Sequence, residues 1–367
     1  ASRLLLVGPV GSGKSSLLRL LAWRFSGHVE RSDVGLLTYK LFGRSREELR
    51  PIVLDLQAFN GSESGLFAAL VESMAAHRFP NAQVFLRQSL ENGRCILLLD
   101  NFHALLQADK RCELYELVSE YPDNIYVLTS RPTSSVSELP GFRLLQVEGI
   151  AREDARRCLQ HNLGSESPEK DGLAAALVRS DSLMRLARNP LMSVAMCRVV
   201  LEKDGRRPSL PTLYKGCLDV LFDTWQRGRS MMSQFQPEDQ ERALGYLAYR
   251  MQCEGRDAIP RSEMMATIRE GLGGSAQADA EALFEMLERD AGILCPVSAQ
   301  QEAYGFFAYP LQSYLTARWL SASDRAMTLA EEMDDPLWYD AIVLTAGLLP
   351  EPSAFLYHVH GRAQREP

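Results

Sequence analysis

Eight residues near the start of the chain, Gly8-Pro9-Val10-Gly11-Ser12-Gly13-Lys14-Ser15, leave little freedom in how their surroundings fold. They fit the pattern G-x-x-x-x-G-K-[ST]. An apolar run, Leu4 to Val7, precedes them, and Leu17, Leu18, Leu20 and Leu21 follow at helical spacing over about Lys14 to Phe25. Strand, glycine-rich turn and helix in that order make a phosphate-binding loop. The glycines let main-chain N–H groups converge on phosphate oxygens, and the helix N-terminus adds partial positive charge. In such a loop the lysine, Lys14, reaches the β- and γ-phosphates and the hydroxyl of Ser15 ligates magnesium. The nucleotide-contacting set expected is Gly8, Pro9, Val10, Gly11, Ser12, Gly13, Lys14, Ser15 and Ser16, with ATP or ADP and Mg2+ as the ligands. The alternative, a chance glycine-rich turn, does not account for the strand and helix on either side.

Short apolar runs alternate with helical patterns over the first 150 residues, the signature of a parallel sheet with helices on both faces. After Leu4–Val7 the spacing predicts strands at Pro51–Leu56, Cys95–Leu99, Ile125–Thr129 and Leu144–Val147. Helices are predicted near Gly65–His77 and Ala82–Glu91. Cys95-Ile96-Leu97-Leu98-Leu99 is apolar throughout, as a central parallel strand must be, and it runs into Asp100. A carboxylate at that strand tip is the Walker-B arrangement, which holds the metal directly or through water. The competing role for Asp100 is a cap on the next helix. Arg131, in Thr129-Ser130-Arg131-Pro132, sits just beyond the fourth strand, where an arginine reads a γ-phosphate or is an ordinary surface residue.

Past Ile150 strand signals nearly vanish. Ala151–Leu163, Gly172–Arg179, Ser182–Leu186 and Pro190–Lys203 read as helices, and the Gly-, Pro- and Arg-containing stretch Asp204–Pro211 as a boundary. Tyr214–Arg227, Pro237–Cys253, Arg261–Gly271 and Ala278–Arg289 follow with helical spacing, then a hairpin over Gly292–Ala299 and Tyr304–Phe307 and a helix at Leu311–Leu320. Helices closed by a short hairpin are how a winged-helix module reads. The expected division is a P-loop domain over 1–150, a helical domain over 151–205, a winged-helix-like domain over 206–323 and the start of a further helical segment over 324–367. The chain is expected to continue beyond both Ala1 and Pro367, since its first core strand starts almost at once and its last helical segment looks cut off.

Composition narrows the function classes. Hydrophobic residues at 46% and charged residues at 24% are ordinary for a globular protein. A net charge of −7 gives no electrostatic reason to expect a general nucleic-acid binder. Seven dispersed cysteines (Cys95, Cys112, Cys158, Cys197, Cys217, Cys253, Cys295), none at metal-site spacing, read as reduced thiols in a cytoplasmic protein, mostly filling core. No apolar run approaches the roughly 18 residues of a membrane helix. Trp23, Trp225, Trp319 and Trp338 lie in apolar helical patterns and are expected as core anchors. His358 and His360 alternate like a metal pair but lack Cys or carboxylate company, and Arg156-Arg157 and Arg206-Arg207 read as solvated faces.

Taken together, these residues resemble the NACHT family of STAND nucleotide switches over nearly the whole chain. The P-loop, Pro51–Leu56 followed by Gln57-Ala58-Phe59, and Gly93-Arg94 leading into Cys95–Asp100 look like a NACHT domain. Thr129-Ser130-Arg131-Pro132 matches the family's sensor-1 motif. Asn189-Pro190-Leu191 matches its Asn-Pro-Leu segment, which implies that Pro190 packs on the nucleotide base. Leu210-Pro211-Thr212-Leu213-Tyr214 resembles the winged-helix entry, and Tyr304 to Ala317 the family's Phe-x-His-x-x-Phe-Gln-Glu-Tyr-Leu-Ala-Ala helix. The resemblance implies a resting state with the helical and winged-helix parts folded over ADP, and an ATP-bound state that assembles with further copies. Sensor and effector parts would lie outside this region. Family members serve phage defence in bacteria and innate immunity in animals.

Three departures bear on mechanism. After the metal-binding aspartate the family has Gly-x-Asp-Glu, whereas this chain has Asn101-Phe102-His103-Ala104. The water-activating carboxylate is therefore replaced, and removing a positioned base lowers rates by about 10²–10⁴. His103 is the candidate substitute base, against the reading of an ordinary surface or core histidine. Ala308 stands where relatives carry a histidine that touches the ADP β-phosphate, a loss of about 1–3 kcal/mol. Ser313 replaces a glutamate after Gln312. The expected behaviour is an ATP/ADP-binding switch with weak or absent hydrolysis. A P-loop ATPase motor and a nucleotide-stabilised scaffold with a decayed site remain the alternatives.

Overall fold

Alternate residues of three strands face opposite ways, and this decides the layering of the first half of the molecule. The computed structural model describes residues 2–26, 40, 42, 49–75, 80–105, 107–132, 139, 141–164, 174–175, 177, 179–202, 208–226, 235–273, 277–298, 303–323 and 325–363. The chain divides into two units, Ala1–Glu148 and Gly149–Pro367. In the first, β1 (Arg3–Val7), β2 (Arg50–Asp55), β3 (Cys95–Asp100), β4 (Ile125–Ser130) and β5 (Arg143–Gln146) form a parallel sheet in the order β2-β3-β4-β1-β5. Leu5, Leu97, Leu99, Tyr126 and Leu128 bury on one face, against α2 (Leu56–Asn60), α3 (Leu66–Ala75), α4 (Ala82–Glu91) and α5 (Ala108–Glu120). Leu4, Leu6, Ile96, Leu98, Ile125 and Val127 bury on the other, against Leu18, Leu21 and Phe25 of α1 (Lys14–Phe25). Both faces are covered, which is why β3 and β4 are apolar without alternation.

Several local expectations shift for physical reasons. The strand expected to include Leu56 stops at Asp55, because the Asp55 carboxylate accepts the Gln57 N–H at 3.0 Å and caps α2. Trp23 is not a core anchor. It is 48% exposed, since Leu18, Leu21 and Phe25 take the inward positions of α1 and leave Leu17, Leu20 and Trp23 outside. The helix expected to reach His77 ends at Ala75, and residues 76–79 lie outside the described ones.

The second unit is mostly helical: α6 (Arg152–Leu163), α7 (Asp181–Ala187), α8 (Pro190–Glu202), α9 (Leu210–Gln226), α10 (Pro237–Cys253), α11 (Arg261–Gly271), α12 (Gln277–Glu285), α13 (Tyr309–Ala322), α14 (Tyr339–Leu348) and α15 (Ser353–Ala363). The helix expected to run through Arg289 widens into a π turn over Met286–Ala291. The expected hairpin is present as β7 (Leu294–Ser298) and β8 (Ala303–Phe306). It gains a third antiparallel strand, β6 (Ile259–Pro260), in the order β6-β8-β7. β6 is two residues long, too short to show any alternation. Gly305 is required there, because a Cβ would sit 2.3 Å from the Asp257 carbonyl oxygen.

Tyr214 of α9 stacks on Tyr314 of α13 at 5.7 Å, and Trp319 stacks on Tyr249 at 4.4 Å beside buried Trp338. Leu311, Leu315, Ala317 and Leu320 of α13 are fully buried. Three cysteines, Cys95, Cys197 and Cys217, do fill core, but Cys112 and Cys253 are exposed. Arg156 and Arg157 are exposed, and Arg157 pairs with Glu153 and Asp154. His358 and His360 are exposed on α15, and no cluster that could hold a metal occurs among the described residues. Half of the residues of the helix expected at Gly172–Arg179, residues 204–207 of the expected boundary with Arg206-Arg207, the Trp225 side chain and Asp324 lie outside the described residues. Among the described residues, no helix is long and apolar enough to cross a membrane.

Candidate nucleotide site

The sheet order brings the C-terminal ends of β1, β4 and β3 side by side. Val7 pairs with Ser130 and Leu99 with Leu128, so the residues leaving these strands emerge along one edge. The loop Gly8–Gly13 leaves β1 and turns directly into α1. Gly11 and Gly13 take φ +72° and +91°, in the left-handed region that favours glycine. Gly8 is closely packed: a Cβ there would meet Ser12 Oγ at 2.8 Å and the Val147 carbonyl oxygen at 2.9 Å. Gly13, the N-cap of α1, is the opposite case, for a Cβ there would meet nothing within 4 Å among the described residues. Open space therefore lies in front of a helix N-terminus whose first N–H groups have no partner within the helix, which fits an anion.

Lys14 is 7% exposed, and its Nζ donates to Gly8 O at 2.7 Å, Pro9 O at 2.7 Å and Ser12 Oγ at 3.3 Å. These bonds hold the ammonium against the loop, where a polyphosphate would complement its charge. Val10 is buried, Pro9 and Ser15 are half-buried, and Ser16 is exposed.

On β3, Asp100 Oδ1 accepts the Thr129 hydroxyl, and Thr129 Oγ1 in turn accepts the Asn101 N–H at 3.0 Å. Thr129 thus ties the Asp100 tip to the neighbouring strand. A carboxylate and the Ser15 hydroxyl are hard oxygen donors, the kind Mg2+ takes alongside phosphate oxygens and water. When bound, that ion neutralises charge on the phosphates. The residues present fit both the nucleotide and its metal.

Arg131 follows β4 and is half-buried, and its N–H donates to His103 Nδ1 at 3.4 Å. His103 sits in the short 3₁₀ turn Phe102–Ala104, anchored by fully buried Phe102. Burial holds the His103 imidazole well below its ordinary value of 6.5, and the charges of Arg131 and Lys14 push it the same way. It is neutral at physiological pH.

A family model for the ATPase family associated with various cellular activities (AAA) matches residues 4–128, and one for the winged helix-turn-helix domain C-terminal to NACHT matches residues 211–320. The two matches together support a P-loop NTPase of the NACHT type. Among solved structures, this NACHT-type chain is similar to Cdc6p from Pyrobaculum aerophilum, with 12% identity, 88% of each chain covered and a TM-score of 0.32. It is also similar to the RuvB Holliday junction branch migration motor of Thermotoga maritima, with 13% identity, 81% and 82% covered and a TM-score of 0.35. Drosophila ORC bound to DNA gives 14% identity, 83% and 85% covered and a TM-score of 0.33. No curated protein matches the chain.

Within the NACHT-type P-loop unit, the edge of the sheet gathers Gly8 to Ser16, Lys14, Asp100, His103 and Arg131. Pro190 belongs to the second unit, at the start of α8, where Asn189 Oδ1 accepts the N–H groups of Leu191 at 3.0 Å and Met192 at 3.3 Å. Three neighbours escaped the sequence reading as individual contributors: Thr129, Asn101 and Asp55. Asn101 adopts φ +65°, and its Nδ2 donates to Asp55 Oδ1 at 3.0 Å. Asp55 ends β2 as Asp100 ends β3, and the register pairs the two. The legible signal was an apolar strand closed by aspartate, present twice.

Proposed function

We propose that this NACHT-type NTPase is an ATP/ADP-governed switch of the STAND kind, which holds triphosphate for long periods and controls assembly with further copies of itself. One observation carries the reading: a complete phosphate cradle stands beside a post-β3 turn, Asn101-Phe102-His103-Ala104, that has lost both carboxylates expected there. In this reading Lys14 and Arg131 hold the γ-phosphate, Ser15 and Asp100 hold Mg2+, the Gly8–Ser16 main chain wraps the phosphates, and Pro190 packs on the base. The P-loop domain spans 1–150, a helical domain 151–205, a winged-helix domain 206–323, and a further helical segment begins at 324. Ala308 in place of a phosphate-touching histidine weakens the ADP-bound form, and the absent acids slow its regeneration. Both changes favour the triphosphate state. Sensor and effector parts outside this region, and a defence setting, follow by analogy with the family alone.

Mass measurement with Mg-ADP and with a non-hydrolysable ATP analogue, alongside a hydrolysis assay, tests the reading. A larger species with the analogue and turnover below about 1 s⁻¹ are expected. Identical mass with either nucleotide would favour a scaffold, and faster turnover a motor.

A further inference from the structure

We infer that His103 donates a hydrogen bond from Nε2–H to the terminal phosphate of bound nucleoside triphosphate, and so distinguishes tri- from diphosphate rather than acting as a base. The inference rests on the nucleotide site proposed above and assigns that site a third γ-phosphate contact.

The main-chain hydrogen of Arg131 fixes the tautomer of His103. That N–H points at His103 Nδ1 at 3.4 Å, so Nδ1 must present its lone pair. A neutral imidazole carries one N–H, which is then at Nε2; the other tautomer would set two hydrogens against each other. A base needs a lone pair facing the attacking water, and Nε2 in this tautomer has none to offer. The main chain under the ring is held in place. The ring rides on a turn closed by Ala104 N–H to Asn101 O at 2.9 Å and Leu105 N–H to Phe102 O at 3.0 Å, over a Phe102 side chain that is 1% exposed.

The place matters as much as the tautomer. The two cations that act on His103 are Lys14 and Arg131, the pair assigned to the γ-phosphate. A neutral donor among cations adds to an anion site without adding another repelling charge. His103 also stands at one of the two positions where the family carries an acid, and it offers phosphate a hydrogen that a carboxylate could not. Bound ADP has no group at that position and would not engage it.

The test compares affinities for Mg-ADP and for a non-hydrolysable ATP analogue with Mg2+, in the wild type and in His103→Ala and His103→Gln. Hydrogen bonds to charged acceptors predict that His103→Ala weakens analogue binding roughly 10- to 100-fold and leaves ADP binding within about twofold. His103→Gln, which keeps an N–H near the Nε2 position, is expected to restore much of the difference. An unchanged ratio in His103→Ala, or a loss of single-turnover hydrolysis at unchanged affinity, overturns the assignment, the latter in favour of a base. A second measurement does not depend on any variant folding: ¹⁵N shifts of the His103 ring in the wild type should report the neutral Nε2-protonated tautomer, and the Nδ1-protonated form overturns the inference. A wild type that binds neither nucleotide defeats the nucleotide reading itself, which is a separate outcome.

Discussion

The turn that leaves β1 and the turn that leaves β3 lie at the same end of one parallel sheet, yet they stand in opposite condition. The first, Gly8 to Ser15, has every group a phosphate cradle asks for: two glycines at positive φ, a buried ammonium and a helix N-terminus facing open space. The second keeps Asp100, clamped by Thr129, and then presents Asn101, Phe102, His103 and Ala104 where two acids are expected. Gripping a polyphosphate and splitting it draw on different residues, carried here on turns that leave strands on either side of β4. One capacity can be left whole while the other is rebuilt, because main-chain amides do the first and a single positioned side chain does the second.

Breaking the first turn should have the largest effect. Lys14→Ala removes an ammonium with at least two charge-assisted bonds to phosphate, each about 1.5–3 kcal/mol. Calorimetry should then show Mg-ATP affinity down by roughly 10²–10⁴-fold, and retained affinity would mean the cradle does not act as described. Rebuilding the second turn comes next. His103→Asp combined with Ala104→Glu restores carboxylates beyond Asp100 and should raise single-turnover hydrolysis by about 10² or more. No gain would show that the missing acids are not what limits the site.

The pH dependence of the nucleotide-free protein gives a smaller effect. His103 has a depressed folded value, so as pH falls below 6.5 the unfolded chain takes up a proton that the folded one refuses. Stability contributed by the neutral ring is fully present above 6.5 and lost as pH falls. The slope from this group is at most about 1.4 kcal/mol per pH unit. Chemical denaturation of the wild type against His103→Asn isolates it, and identical slopes would place the ring in a different environment. Smallest of all is Asn101→Gly. Relief of a left-handed residue, worth about 1–2 kcal/mol, is opposed by loss of the 3.0 Å bond to Asp55, worth about 0.5–1.5 kcal/mol. A shift above about 1 kcal/mol in either direction would show that one of the two terms dominates.

Much of this was legible along the chain. The P-loop declares itself in eight contiguous residues, and apolar runs ending at Val7, Leu99 and Thr129 mark three central strands to within a residue. The helices of the second unit follow from 3.6-residue spacing. Trp23 misled because two apolar faces compete on α1 and only packing selects Leu18, Leu21 and Phe25. β6 was missed because a two-residue strand has no period to read.

The sequence by itself determined that a strand, a glycine-rich turn and a helix would cradle phosphate, since those groups are contiguous and their conformations follow from glycine and from helix formation. Only the tertiary structure decided which distant residues share that edge. Asp55 meets Asn101, Thr129 holds Asp100, and the Arg131 main chain fixes which nitrogen of His103 carries its hydrogen. Those contacts are set by strand order and register, and by hydrogen bonds between segments tens of residues apart, which no local pattern encodes.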